Sequence, residues 1–348
     1  MYIETNGLSG DPLDLLLASN MDPRVLRPYI GDDGKSYITQ IQNGKPVAMI
    51  TNAPATLRKD AWKLLDEAIV KVARERLTVV SDLRSAGLTF NIPDGMGTTV
   101  HETETQSDIT DARITMDPLT ESENDRPEYD LVNLPLPFIH KNFSFTARQI
   151  ATSRRSGSPL DTSMAELAAR KVAEEAEKLL LGVSGSFTYG GGTIFGYTNF
   201  PSRVTKVMTI PTGTATNAAT ITEILDMRQS LNDNKHFGPY IMYNSPNWDA
   251  FLDEDFSSAK GDITLRERIL KINNISSLKT ADFLTAFQMI MVQTTSDVVR
   301  EVIGMDITTL QWDTHGGLKK NFKVMAILVP QLRADFNGNS GIAHGTSA

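Results

Sequence analysis

The chain has 348 residues, about two domains' worth of material, and its 40% hydrophobic and 22% charged content excludes a wholly disordered, collagen-like or disulfide-built protein. The absence of cysteine excludes disulfides, thiolate zinc sites and cysteine nucleophiles, and it fits a reducing compartment. The net charge of −8 is concentrated: residues 101–130 hold ten acids against Arg113 and Arg126, while the remainder balances 32 acids with 32 bases, a distribution that excludes the basic patch of a general nucleic-acid binder.

The first twelve residues contain no Lys or Arg, and no run of about 18 apolar residues occurs, so neither a classical secretory signal nor a transmembrane helix is expected. Residues 1–55 mix Gly, Asp, Asn and Pro with short apolar pieces such as Tyr37–Ile41 and read as an extended arm. Leu57, Ala61, Leu64, Leu65, Ala68, Ile69 and Val72 recur at helical spacing and predict an amphipathic helix over 56–76. The run Leu77-Thr78-Val79-Val80 turns β-branched and reads as extended.

The acidic window reads as a long hairpin. Thr98–Gln106 and Ile109–Met116 are extended in character, a polar stretch with Pro118 and Pro127 follows, and a return strand is expected near Leu131–Phe138. A two-stranded hairpin buries no face by itself. Its Glu102, Glu104, Asp108, Asp111, Asp117 and Glu121, with Arg113 and Arg126, are therefore candidates for packing on another subunit, the alternative being a solvated acidic loop. Arg148, Arg154 and Arg155 form a small basic cluster that reads either as a solvated face or as the surface that meets a neighbour's acidic hairpin.

Ser158-Pro159-Leu160-Asp161 is a helix start, with Ser158 as cap and Pro159 at the first helical position. The helix runs to Leu181 and stops at Gly182. Leu160, Met164, Leu167, Ala168, Val172, Ala176 and Leu179 mark its buried side, and Glu166 with Arg170 and Glu174 with Lys178 are spaced for surface pairing. Beyond it, Thr220-Ile221-Thr222-Glu223 reads as a capping box, Tyr240–Tyr243 as a buried strand, and Ser245-Pro246 as a helix start carrying Trp248. Further strands are expected at Gln288–Gln293, Val298–Ile303, Ile307–Trp312 and Phe322–Val329. Trp62, Trp248 and Trp312 read as core or interface anchors.

Catalytic signatures are weak. The loop Gly190–Gly196 lacks both the Gly-Lys-Ser/Thr ending and the dinucleotide spacing, and it follows a helix, so it reads as a surface turn. His101, His140, His236, His315 and His344 stand far apart with no metal-ligand spacing. Ser257-Ser258-Ala259-Lys260 matches a four-residue acyl-enzyme pattern without its companion motifs.

Leu134-Pro135-Leu136-Pro137-Phe138-Ile139-His140-Lys141-Asn142-Phe143, then Ala147-Arg148-Gln149-Ile150, Arg154-Arg155-Ser156-Gly157 and the alanine-rich helix Ala165–Leu181, resemble the encapsulin shell proteins and the tailed-phage major capsid proteins. These share the Hong Kong 97-type capsid fold, an α+β architecture. The resemblance covers residues 130–182 in wording and most of the chain in element order. It implies an N-terminal arm (1–55), a peripheral domain beginning at 56–97, an extended hairpin or E-loop (98–140), the peripheral domain with its spine helix (141–205), an axial domain (206–305), and return strands with a C-terminal tail (306–348).

The resemblance also implies a structural role without catalytic site, cofactor or metal. Copies assemble as hexamers and pentamers into an icosahedral shell, the hairpin overlapping a neighbour, with scaffold, portal or decoration proteins as further partners. Within the family, a phage head encloses double-stranded DNA without sequence-specific binding and becomes part of the virion after assembly in the host bacterial cytoplasm, whereas an encapsulin encloses cargo protein. The long N-terminal arm favours the phage reading. No lysine lies between Lys71 and Lys141, so the hairpin lysine that some members cross-link to an asparagine has no counterpart here.

Overall fold

A computed structural model of the chain describes residues 29–31, 33, 35–42, 45–50, 62, 65–69, 71, 77–109, 111–112, 114–117, 119, 126–156, 162–210, 217–256 and 263–347. It divides into two compact units, one from residues 1–99, 136–180 and 301–329, the other from 100–135, 181–300 and 330–348.

The first unit opens with an antiparallel three-stranded sheet of β1 (Tyr29–Ile30), β2 (Ser36–Gln42) and β3 (Lys45–Ile50), so the part of the expected arm that contains Tyr37–Ile41 is a meander. Trp62, Leu65–Ile69 and Lys71 are helical, as their spacing predicts, and Trp62, Leu65 and Ile69 are buried. A four-stranded sheet has the order β4 (Thr89–Asn91), β14 (Val299–Thr314), β15 (Lys319–Leu332), β7 (Ile139–Thr146). Phe143 and Phe145 of β7 meet Phe322 of β15 on one face, with the Phe143 and Phe322 rings stacked at 5.1 Å, and Trp62 meets Phe322 edge-on at 5.8 Å. Removing a side chain of this size from water contributes about 2–3 kcal/mol, so this cluster is a principal anchor of the unit.

The spine helix spans Ser163–Leu181, after the helix Ala147–Ser156. The start read at Ser158–Asp161 lies outside the described residues. Ala165, Ala168, Ala169, Val172, Ala173 and Ala176 form its buried stripe, small residues that permit close approach of the neighbouring backbone. Met164 and Leu167, expected inside, are 41% and 52% exposed, which shifts the buried stripe onto the alanines. Arg170 pairs with Glu174 at 3.4 Å, and Glu174 also takes Lys171 at 2.7 Å. Gly182 follows with φ +84°, the left-handed residue that closes a helix without a Cβ penalty.

Residues 78–85, expected to begin extended, form a helix instead. The reason is a distant carboxylate: Glu177 of the spine helix accepts from the Thr78 hydroxyl at 2.8 Å, the Val79 amide at 2.7 Å and the Val80 amide at 3.2 Å. Those amides are among the donors a helix start leaves without intrahelical partners. An unlike pair closes the other end, where Arg84 forks onto buried Glu301 at 2.7 and 3.0 Å.

The second unit is built on a five-stranded mixed sheet in the order β10 (Val204–Met208), β16 (Ile342–Ser347), β13 (Gln288–Gln293), β11 (Tyr240–Asn244), β12 (Ile275–Thr280). The β10–β16 and β11–β12 pairs are parallel; β13 is antiparallel to both neighbours. Its Met289, Ile290, Met291 and Val292 are all buried, the continuous apolar run of a strand covered on both faces. Helix Asn217–Asp233, the 3-10 turn Pro246–Trp248 and the short helices Asp249–Leu252 and Leu265–Leu270 pack Ile224, Met227, Leu231, Trp248, Leu252 and Ile269 into the same core.

The expected capping box does not cap. The helix begins at Asn217, Thr220 is buried within it, and Glu223 accepts the Thr209 amide and hydroxyl instead. The segments Val298–Ile303 and Ile307–Trp312 are parts of one 16-residue strand, β14.

Candidate assembly surface

Strand β5 (Val100–Gln106) and strand β6 (Tyr129–Pro135) form the expected hairpin, in register from Val100 opposite Pro135 to Gln106 opposite Tyr129. Ser107 and Glu128 extend the pairing: the Ser107 amide donates to the Glu128 carbonyl at 2.8 Å, and the Glu128 amide donates to the Ser107 hydroxyl. Ile109–Met116 is not a strand among the described residues. Local turns take its place, with Asp108 accepting the Ile109 amide and Asp117 accepting the Leu119 amide.

The base of the hairpin is clamped on both faces. On one, the glycine-rich loop forms a small hairpin of β8 (Phe187–Tyr189) and β9 (Gly192–Ile194), whose turn uses Gly190 and Gly191 at φ +58° and +77°. Asn133 donates to the Gly190 carbonyl at 3.3 Å, and a Cβ on Gly192 would lie 2.1 Å from the Asn133 carbonyl oxygen. The glycine therefore serves close backbone approach rather than phosphate binding. On the other face, Gln331 at the end of β15 donates to the Thr103 hydroxyl at 3.2 Å and accepts from Arg300 Nε. His101, two residues from Thr103 on that face, is held below the usual imidazole range first by burial, then by Arg300 and Arg333.

Away from the base β6 is exposed from Tyr129 to Val132, whereas on β5 exposed Glu102, Glu104 and Gln106 alternate with half-buried Thr103 and Thr105. Glu102, Glu104, Asp108, Asp111, Asp117 and Arg126 are all exposed on the hairpin and the segment between its strands, and Glu104 and Asp108 also line a cleft beside it. Arg148 is exposed on the helix Ala147–Ser156 of the first unit. Arg113, Glu121 and the side chains of Arg154 and Arg155 lie outside the described residues, as does Ser257–Lys260.

Apolar residues that sequence reading missed share the hairpin with the acids. Tyr129, Leu131 and Val132 of β6 are exposed, Ile109 and Leu119 likewise, and Ile114 and Met116 are fully so. The sequence signal for them is the absence of alternation in Tyr129-Asp130-Leu131-Val132, a pattern that buries no single face.

Among the described residues no group of three or more His, Asp or Glu stands close enough to hold a metal ion, and no helix is long and apolar enough to cross a membrane. His344 in β16 is buried, its Nδ1 accepting from Arg203 at 3.4 Å, while His140 and His315 are exposed.

A family model described as a family of unknown function, DUF6260, matches residues 52–345. The chain belongs to the DUF6260 family. This DUF6260 member is 28% identical over 208 residues to the type 1 encapsulin shell protein EncA of Myxococcus xanthus (strain DK1622). The match takes in 56% of the chain and 63% of the relative, so it spans less than two thirds of that protein's length.

Among solved structures, the capsid of Myoviridae phage XM1 superposes with a TM-score of 0.60 at 10% identity, over 77% of this chain and 92% of that one. The virus-like particle from Pyrococcus furiosus gives 0.58 at 14% identity, over 82% and 99%. The capsid of a native GTA particle gives 0.52 at 13%, over 76% and 89%. The DUF6260 chain thus has the α+β, Hong Kong 97-type capsid fold that its motifs imply, the fold of these capsids and of that virus-like particle.

Proposed function

We propose that this chain is the major capsid protein of a tailed phage, a structural protein that self-assembles as hexamers and pentamers into an icosahedral shell around double-stranded DNA. The observation that carries the reading is the hairpin: clamped at its base, largely exposed beyond it, and loaded with both apolar side chains and the excess negative charge of the chain. Such an element is stable and useful only when another surface covers it. In this reading residues 98–140 are the E-loop laid on a neighbouring copy, the spine helix belongs to the peripheral domain, and the five-stranded sheet belongs to the axial domain near capsomer centres. Glu102, Glu104, Asp108, Asp111, Asp117 and Glu121 face a more basic neighbour, to which Arg148, Arg154 and Arg155 contribute. The balanced charge of the remaining chain suits DNA that is contained rather than tightly bound, since tight binding needs many basic phosphate contacts.

The 28% identity to an encapsulin shell protein favours a second reading, a bacterial nanocompartment that encloses cargo protein. Electron microscopy of the chain expressed alone separates the readings from each other and from a wrong assignment. Closed uniform shells support the structural role, with nucleic acid or protein inside distinguishing phage head from nanocompartment. Deleting residues 101–130 is expected to abolish shells and leave a folded protomer; normal shells from that deletion count against the role given to the hairpin.

A further inference from the structure

The four-stranded sheet of the first unit pairs two acid-free stretches of the chain. Residues 131–160 hold four bases and no Asp or Glu, and residues 314–334 likewise. Strand β7 comes from the first stretch and β15 from the second, and they pair antiparallel. Residues opposite each other in such a pair share a face. Phe322 opposite Phe143 belongs to the aromatic core, so Lys319 opposite Thr146, Asn321 opposite Ser144 and Lys323 opposite Asn142 stand on the other face. Lys323 Nζ lies 5.8 Å from the centre of the Trp312 ring of β14. At the tip between β14 and β15 the Leu318 carbonyl accepts the Ala147 amide at 2.8 Å, which joins the helix Ala147–Ser156 and its exposed Arg148 to the same end of the sheet. Trp312 and Leu318 are 38% and 68% exposed. Lys319 is exposed and Lys323 half-buried, and among the described residues neither has a carboxylate partner.

We propose, on the reading that copies of the chain form a shell, that this end of the sheet is where the hairpin of a second copy docks, with Lys319, Lys323 and Arg148 set around Trp312 and Leu318. The hairpin carries the matching chemistry. Glu104 stands opposite Leu131 and Gln106 opposite Tyr129, so these exposed side chains share one face with exposed Glu102. Two carboxylates beside two apolar groups there meet two ammonium groups beside two apolar groups on the sheet.

The two kinds of group act differently. Trp312 and Leu318 give the contact an aromatic and an aliphatic anchor to bury, while the charges steer the partner and fix its register. Three cations supply few of the phosphate contacts that hold a duplex, which favours a short acidic protein segment over a nucleic-acid backbone.

The test uses the full chain, as an equal mixture of isotope-labelled and unlabelled copies under assembly conditions. A water-soluble carbodiimide joins a lysine amine to a carboxylate in direct contact with it. Mass spectrometry is expected to find Lys319 or Lys323 of one label joined to an acid of residues 101–130 of the other. Hairpin acids joined only to other lysines, links confined to one label, or no link to either lysine overturn the proposal. Lys319→Glu together with Lys323→Glu is expected to raise the protein concentration needed for assembly about tenfold at low salt, the scale of two exposed ion pairs turned into repulsions. Adding Glu102→Lys and Glu104→Lys to that chain is expected to restore assembly. Where the double variant fails to fold, Lys319→Ala removes only an exposed side chain and is expected to raise the concentration about twofold. Assembly unchanged in a folded lysine variant overturns the proposal, as does duplex DNA that the parent retains and the lysine variant releases. Electron microscopy scores the shell reading separately: shells without these links remove the docking surface alone, and links in small oligomers without shells remove the shell reading alone.

Discussion

Glu177 of the spine helix accepts the amide of Val79 at 2.7 Å, a bond that joins residues 98 apart in sequence and starts the helix Thr78–Ser85. Replacing Glu177 with Ala removes the partner of two buried amides and a hydroxyl, which is expected to cost about 2–3 kcal/mol in urea denaturation. Glu177→Gln keeps an acceptor oxygen and is expected to cost less. The pH dependence separates the two effects. Burial raises the Glu177 carboxyl above its ordinary value, against the opposing hydrogen bonds from Val79, Thr78 and Val80. A raised folded-state value means that its contribution is fully present below the unfolded value and is lost as pH rises through the folded one. Glu177→Gln therefore flattens the stability profile just above the ordinary glutamate range; an unchanged slope there contradicts the assignment.

This pair also explains what the sequence does and does not disclose. The spine helix is legible because periodicity and Gly182 are both local signals, although the i,i+4 pair that the structure shows is Arg170 with Glu174 rather than either pair the spacing suggests. The helix at Thr78 is not, because the local β-branched run points to extended backbone and its deciding partner is almost a hundred residues away. The same holds for Glu223, a capping residue by local pattern that instead receives Thr209 from the end of the preceding strand. On the hairpin, the charge excess is countable in the sequence. The exposure of Leu131 or Met116 is not, since an apolar residue reads as core until the tertiary structure leaves it uncovered.

In the first unit half-buried Arg84 and buried Glu301 form a two-pronged ion pair. Arg84→Ala is expected to destabilise the chain by about 3–5 kcal/mol, because it strands a buried carboxylate. Burial already raises the Glu301 carboxyl, and Arg84 is what opposes that rise. Without the arginine the raised value climbs further, and stability is lost as pH rises through it. The variant should consequently lose more relative to the parent at pH 8 than at pH 5 in denaturant titrations. Equal losses at both values would sink this account.

His344 gives the opposite pH dependence. Burial, and then Arg203, depress its imidazole to about 4 from 6.5. The folded state thus prefers the neutral ring, and the associated stability is complete above about pH 6.5 and declines as pH falls toward 4. The full shift corresponds to a loss of up to about 3 kcal/mol. Thermal melting of the parent between pH 7 and pH 4 should show this decline, and His344→Gln should reduce it by removing the group that titrates. A variant as acid-sensitive as the parent would place the sensitivity elsewhere.

The hairpin yields the prediction closest to function. Leu131 and Met116 are exposed in the isolated chain, so changing them to Ser removes no core contact and is expected to leave protomer melting unchanged. On a neighbouring copy each would bury apolar surface worth about 1.5–3 kcal/mol, which raises the concentration needed for assembly by roughly tenfold or more for each side chain. The acids act differently. Exposed charges are screened over about 8–10 Å at physiological salt, so assembly driven by the acidic hairpin weakens as salt rises, whereas assembly driven by Leu131 and Met116 does not. Light scattering against protein concentration, at low and high salt, reads both contributions on the same material. Because no lysine lies between Lys71 and Lys141, shells are further expected to dissolve to single chains on denaturing electrophoresis. A ladder of covalent multimers would show that a lysine outside the hairpin has taken over the cross-link.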